Sequence, residues 1–291
     1  MIQKPIEPPE IKVKETVVVL PNTPETNEQS TYVPPKQSAN VLFKFMPRLD
    51  YLKGIIKEKA IMPRYYEEKI DYLDIKGFDK IAFPMSCFCD IHLNKLVPHM
   101  RNYGWYGIGL SKEWGIRQGI QPIHYINKDS KLKKDFSKVF NKTMKTVQAE
   151  EREKFKEYND YLLSDLLFMK PIEGEMMVNN NDEYEYRNFH DEKEWRFVPQ
   201  FAGVDTELPL VIPQNQMNHH SYMLHSAGIQ QKSELWLKFD LDAIKYIIVA
   251  NQNDRKELIE FIIENEIVED DYDRYGLFSK ILVFNELRED W

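Results

Sequence analysis

The chain has 291 residues, 42% hydrophobic and 13% aromatic, enough apolar material for one large domain or two small ones. Its formal net charge of −8 and pI near 5.5 exclude a broadly basic surface, and with it strong general binding to nucleic acid. No apolar run approaches the roughly 20 residues that span a bilayer; the N-terminus has no apolar stretch of signal-peptide length, and two cysteines suit a reducing compartment, so a cytoplasmic protein with no membrane association is expected.

Residues 1–39 carry seven of the 16 prolines among Glu, Lys, Thr, Asn and Gln, with one apolar island at Val17–Leu20. Such a segment buries too little apolar surface to offset its chain entropy. It is expected to be a disordered tail, with residues 40–291 forming the folded domain. Val41–Phe45 (VLFKF) alternates as a strand. Leu49, Leu52, Ile55 and Ile56 recur at helical spacing, ending near Lys59 ahead of Pro63. Lys80–Phe83 reads as a second strand broken by Pro84, and Ile91–Tyr103 as a short helix behind Asp90. Tyr106–Leu110 and Gln121–Ile126 read as strands on either side of a Gly115–Gly119 turn. Between Ile123 and Lys170 there is no Gly or Pro. Leu132, Phe136, Val139, Phe140, Thr143 and Val147 share one helix face there, and Phe155, Tyr158, Leu162 and Leu166 another. That predicts one long helix, or two in tandem, up to Pro171. Asn179–Asp182 reads as a loop, Glu194–Pro199 as a strand, and Ala202–Ser233 as an aperiodic insertion. Strands Leu235–Phe239 and Tyr246–Ala250, a helix Asp254–Glu264, an acidic loop Glu266–Asp273 and a strand Lys280–Phe284 follow. The sum is an α+β fold: a single domain with a mixed twisted sheet and a long helical excursion.

Three clusters invite a chemical reading. The glycines of Gly104-Trp-Tyr-Gly107-Ile-Gly109 lack the dinucleotide spacing, and no P-loop is present, so they read as a tight turn and a close backbone approach. Cys87 and Cys89, with His92 and His99 nearby, do not make a zinc knuckle; the thiols are expected on opposite faces, unbridged, with no metal bound. His219, His220 and His225 are a weaker metal group still, and the lysines of Lys131–Lys145 read as a solvated helix face. In the third cluster Glu192, Glu194 and Arg196 share one strand face, with Trp195 and Phe197 turned to the core. Two readings stand. One is a structural ion pair. In the other the carboxylate stabilises developing positive charge and the arginine holds an anion.

The run PMSCFCDIHL (Pro84–Leu93), then His99, Tyr103-Gly104, Tyr106–Gly115, Gly119–Pro122, Lys170-Pro171 and Glu192-Lys-Glu-Trp-Arg196, resembles the AbiGi family over roughly Val41 to Phe284. Those proteins are bacterial abortive-infection components of phage resistance, labelled antitoxins. The resemblance implies a phage-defence setting and a protein partner encoded nearby, with toxin or antitoxin as the other half of the pair. The order of elements is also similar to ADP-ribosyltransferases, which bind NAD in the cleft of a split sheet. That likeness implies a second reading, an NAD-cleaving transferase acting on a protein or nucleic acid. Glu194 and Arg196 are then the catalytic pair, and Lys44, Ser86, Phe88, Tyr103 and Tyr106 contact the cofactor. The chain departs from this pattern at Lys44, where such enzymes carry His or Arg.

Overall fold

A computed structural model of the chain describes residues 38–145, 149–177 and 184–288. The expected tail lies outside the described residues up to position 37, as does the Asn179–Asp182 loop. The first half runs β1 (Val41–Met46), α1 (Leu49–Glu58), β2 (Ala60–Ile61), β3 (Arg64–Lys69), β4 (Lys80–Cys89), α2 (Val97–Tyr103), β5 (Tyr106–Ser111), α3 (Lys112–Arg117), β6 (Gln121–Pro122) and β7 (His124–Ile126). The helical excursion is α4 (Lys131–Lys145) and α5 (Ala149–Leu166), followed by β8 (Met169–Pro171), β9 (Glu173–Met177), β10 (Tyr184–Asn188) and β11 (Glu194–Phe197). The last part runs α6 (His219–Gln230), β12 (Leu237–Lys238), β13 (Ile244–Val249), α7 (Gln252–Glu264), α8 (Asp271–Phe278), β14 (Ile281–Val283) and α9 (Phe284–Leu287).

Among the described residues, eight strands form one sheet in the order β14-β13-β5-β1-β4-β11-β6, with β3 also paired to β4. β13 and β14 are parallel and the other pairs antiparallel, so the sheet is mixed, as the alternation in the sequence implies. Period-two alternation assigns its faces. Leu42 and Met46 of β1 join Leu52 and Ile56 of α1 and Leu258 and Ile262 of α7 on one face. Val41, Phe43 and Phe45 join Leu96, Met100 and Phe284 on the other. Farther along that second face, Ile81, Phe83 and Met85 of β4 meet Phe136 and Phe140 of α4 and Leu162 and Leu166 of α5. Each fully buried Leu, Ile or Phe contributes about 1.5–3 kcal/mol by leaving water.

The glycine run serves close packing, as its spacing suggests. Gly104 has φ 115°, and a Cβ there would lie 2.1 Å from the Met46 carbonyl oxygen. A Cβ on Gly107 would lie 2.6 Å from the Phe45 ring.

β4 differs from its expected form in a way that shapes the site. It runs ten residues, straight through Pro84. Residues 80–85 pair with β3, while β1 meets β4 only at Phe43↔Cys89. The even-numbered backbone groups of β4 point away from β3. Asp90 N–H donates to the Lys193 carbonyl at β11, and the Ala82 carbonyl accepts from Ile212 N–H. The N–H that Pro84 lacks would face that far side, so the β3 ladder loses nothing. It also follows that β1 and β3 share one edge of β4, and that residues 86–88 of that edge face neither strand.

Other departures have local causes. Arg64–Lys69 forms β3 although its outward residues are mostly charged, because β4 supplies the pairing. The Gly115–Gly119 stretch is mostly α3, capped by the Ser111 side chain, rather than a turn alone. The aperiodic insertion contains α6, capped by Asn218, and the acidic loop runs into α8, capped by Asp270.

Candidate functional site

β11 pairs with β4 so that Glu194 lies opposite Cys89 and Arg196 opposite Cys87, while Trp195 lies opposite Phe88 and Phe197 opposite Ser86. Directly opposite residues share a face. Cys87 and Cys89 therefore leave the same face of β4, contrary to expectation, as the two-residue period requires. Both thiols are free. Burial raises the Cys87 thiol well above its ordinary pKa. The burial of β11 is also the reverse of what the aromatic residues suggest. Glu194 is 5% exposed and Arg196 0%, whereas Trp195 and Phe197 are only partly buried. Alternation separates two faces but does not say which is inside; here the charges are inside because each finds a partner.

Those partners form one network. Arg196 donates through Nε and one terminal nitrogen to Glu194 Oε1, at 2.9 and 2.8 Å. Its other terminal nitrogen donates to the Leu167 carbonyl at 2.6 Å. Glu68 of β3 lies 3.5 Å away, and the Phe83 ring centre 5.5 Å. Lys170 of β8 donates to Glu194 Oε2 at 2.9 Å and to Glu192 Oε2 at 3.1 Å. Tyr103 of α2 donates to Glu192 Oε1 at 2.6 Å. The Tyr125 hydroxyl accepts from Glu194 N–H at 2.7 Å. Lys193 has φ 43°, and this left-handed step turns the chain so that Glu192, ending a short turn, and Glu194, opening β11, both reach Lys170.

Electrostatics follow from this geometry. Burial alone would raise the Glu194 carboxyl, but Arg196 and Lys170 outweigh it and hold the group far below the ordinary carboxylate range. Burial likewise works against the Arg196 and Lys170 cations, and Glu194 with Glu68 reverses it, so both stay charged. Beside them His99, 4.4 Å from the Tyr103 ring, is pushed by burial from 6.5 to about 4. Tyr72 Oη is buried next to this network without a hydrogen-bond partner, and burial raises its pKa. The arrangement holds a carboxylate permanently ionised between two permanent cations. That suits rigid positioning better than proton transfer, which needs a pKa near the working pH.

The proposed site residues divide between the two faces. Glu194, Arg196 and Tyr103 come together in the network. Phe88 is 3% exposed in the apolar core of the opposite face, and Ser86 is buried on that face with its hydroxyl unpartnered. Tyr106 packs against the same opposite core and donates to Asp254 of α7 at 3.2 Å. One ligand therefore does not touch Tyr103 together with Phe88 and Tyr106. Lys44 is partly exposed at the unclaimed stretch of β4, its Nζ 5.9 Å from the Phe88 ring centre. Sequence reasoning grouped Glu192 with Glu194 and Arg196 but missed Lys170 and Glu68 as members of the network. Lys170 stands within the motifs that carry the AbiGi resemblance, whereas nothing local marks Glu68. Among the described residues no three His, Cys, Asp or Glu side chains gather into a metal-binding group, and no helix is long and apolar enough to cross a membrane.

Fold and site together define a mixed α/β protein organised around a buried ion network. A family model described as "Putative abortive phage resistance protein AbiGi, antitoxin" matches residues 59–250. A curated relative, "Abortive phage resistance protein AbiGi" of Lactococcus lactis subsp. cremoris, is 31% identical over 250 residues, covering 80% of this chain and 100% of the relative. The chain belongs to the AbiGi family, and so to the components of anti-phage defence. No solved structure matches it, so the ADP-ribosyltransferase likeness gains no support from structural neighbours.

Proposed function

We propose that the chain serves phage defence as an antitoxin-like protein that binds a toxin encoded nearby, through an exposed apolar flank of α4. One observation carries the reading. Leu132 and Val139 of α4 are 63% and 51% exposed, seven residues apart on one side of the helix. Asp135, exposed and paired with Lys131, stands between them at i+3 and i−4. Exposed apolar residues beside an ion pair suit a protein partner that covers them. The same helix anchors inward through Phe136 and Phe140, so this surface is rigid rather than a loop. The NAD-cleaving alternative has less support, because Arg196 is fully buried and bonds Glu194 and the Leu167 carbonyl. The family's antitoxin description agrees with the partner reading.

The test is co-expression with the toxic product of the neighbouring gene. The native chain should rescue growth and co-purify with it. Leu132→Asp combined with Val139→Asp should abolish both while leaving thermal unfolding within about 0.5 kcal/mol of native, as surface changes do. Rescue by the folded double variant would reject α4 as the docking face.

A further inference from the structure

A cleft of about 360 Å³ lies between α8 and the turn Leu241–Ala243 that leads into β13, and it shares no residue with the ion network. Asp240 and Asp242 line it from the turn, and Tyr272, Asp273 and Gly276 from α8, with Lys59 and Lys280 completing the wall. Among the described residues none of these three carboxylates forms an ion pair. Lys280 lies between them without pairing: its Nζ donates to the Leu241 carbonyl at 3.1 Å. Burial lowers the Lys280 ammonium, Asp242 opposes this, Lys245 lowers it further and Asp273 raises it. Three carboxylates against two ammoniums leave the lining one negative charge in excess. The chain running into α8 adds to it, since residues 264–271 hold five acids and no base, of which Asp271 alone pairs, with Arg274.

Two further observations mark this cleft as open by construction. Tyr272 is 84% exposed, more than any other large hydrophobic side chain among the described residues. Gly276 lies inside α8 at an ordinary φ, and a Cβ there would meet nothing within 4 Å. Glycine is less favourable than alanine inside a helix, so the fold does not call for it; its effect is to leave that wall of the cleft bare.

We propose that the cleft receives an arginine side chain of a basic partner protein, its guanidinium between Asp242 and Asp273 and against the Tyr272 ring. The acids do not gather closely enough to hold a metal ion. A guanidinium is larger, spreads five donors over one plane and stacks on an aromatic face, which suits separated carboxylates beside a tyrosine. The additional acids of residues 264–271 are not part of the lining, and a basic protein surface reaches them where a lone small cation does not. Nucleic acid is repelled by the same charge.

The experiment is fluorescence-anisotropy titration of the full chain with a short labelled arginine peptide, a lysine peptide of equal length and N-acetylarginine amide, at physiological salt. The arginine peptide should bind saturably and more tightly than the other two. Asp242→Asn combined with Asp273→Asn should weaken it about tenfold, as lost charge-assisted contacts do. Glu157→Gln combined with Glu207→Gln changes net charge equally at exposed acids outside the cleft, and should leave affinity within about twofold. Gly276→Leu fills the cleft without changing charge and should also weaken the peptide about tenfold. Leucine is the better helix former, so the unfolding temperature of that variant should not fall, which separates a blocked cleft from a lost fold. Absence of saturable binding, equal losses in the two charge-matched pairs, or native affinity in Gly276→Leu overturns the site. A lysine peptide that binds as tightly overturns the guanidinium contact, and N-acetylarginine amide that binds as tightly overturns the protein partner. The Leu132→Asp, Val139→Asp variant should still bind the peptide, so this proposal and the α4 reading fail independently.

Discussion

The ion network and the gap beside it, along residues 86–88 of β4, are built from the same residue types on one sheet, and they differ in how the charges are matched. In the network Arg196 has no exposure, and its donors go to Glu194 and the Leu167 carbonyl. Beside the gap Lys44 and Arg64 have no carboxylate at hydrogen-bond distance among the described residues. A buried charge with complete internal partners belongs to the scaffold, because removing it leaves its partners stranded. A partly buried charge without a partner costs the scaffold something, and removing it strands nothing. Charge type alone does not distinguish the two; partner counting does.

The largest effect expected from this contrast is at Arg196. Arg196→Met strands Glu194 and Glu68 and leaves the Leu167 carbonyl without its donor, which should cost about 3–5 kcal/mol in denaturant unfolding. Trp195→Ala, at a half-buried neighbour, should cost about 2 kcal/mol, below the full core value. The order is the reverse of what the sequence implies, where the tryptophan is the core residue and the arginine the ligand contact. A larger loss at Trp195 than at Arg196 would break the assignment of the network to the scaffold.

An intermediate effect comes from pH. His99 titrates at 6.5 when unfolded and is pushed by burial to about 4 in the fold, with Glu192 and Glu194 opposing and Lys170 assisting that shift. Its folded pKa is depressed, so below pH 6.5 the unfolded chain binds the extra proton first. The neutral ring's contribution is complete above pH 6.5 and is lost as pH falls towards 4, by at most about 3 kcal/mol. Glu194 is held low by Arg196 and Lys170, so its own contribution is lost only at more acid pH. Unfolding free energy measured between pH 7 and 4 should therefore slope downward, and His99→Phe should flatten that slope. An unchanged slope would show that His99 is solvated and that the network is less closed than its geometry indicates.

Much of the frame was legible in the sequence. β1, β5, β13 and the paired helices α4 and α5 follow from apolar periodicity. Of the α4 face read from the sequence, Phe136 and Phe140 are core, whereas Leu132 and Val139 are exposed. Three things were not. β3 carries Arg, Glu and Lys and forms because the next strand, β4, offers it an edge, which its own composition does not show. β4 continues through Pro84 because of which way its backbone groups point, and sequence does not encode that direction locally. The inside of β11 was misread because a Glu and an Arg are ordinarily outside. Their burial depends on Lys170 and Glu68 arriving from β8 and β3.

The smallest expected effect is the sharpest test of the contrast. Lys44→Met removes a cation that has no carboxylate partner and whose ammonium burial already disfavours. Methionine keeps a similar length and can stay against the Phe88 ring that Lys44 now overlies. Losing an unpaired, partly desolvated charge relieves a cost that no interaction offsets. The variant should therefore unfold within about 0.5 kcal/mol of native, or be slightly more stable. Arg196→Met removes one charge from the same sheet and should cost several times more. If both substitutions cost the same, Lys44 has a structural counter-charge, and the gap belongs with the network as scaffold. If Lys44→Met is neutral in stability, the lysine lies outside the charge balance of the scaffold, as the absence of a carboxylate at hydrogen-bond distance indicates.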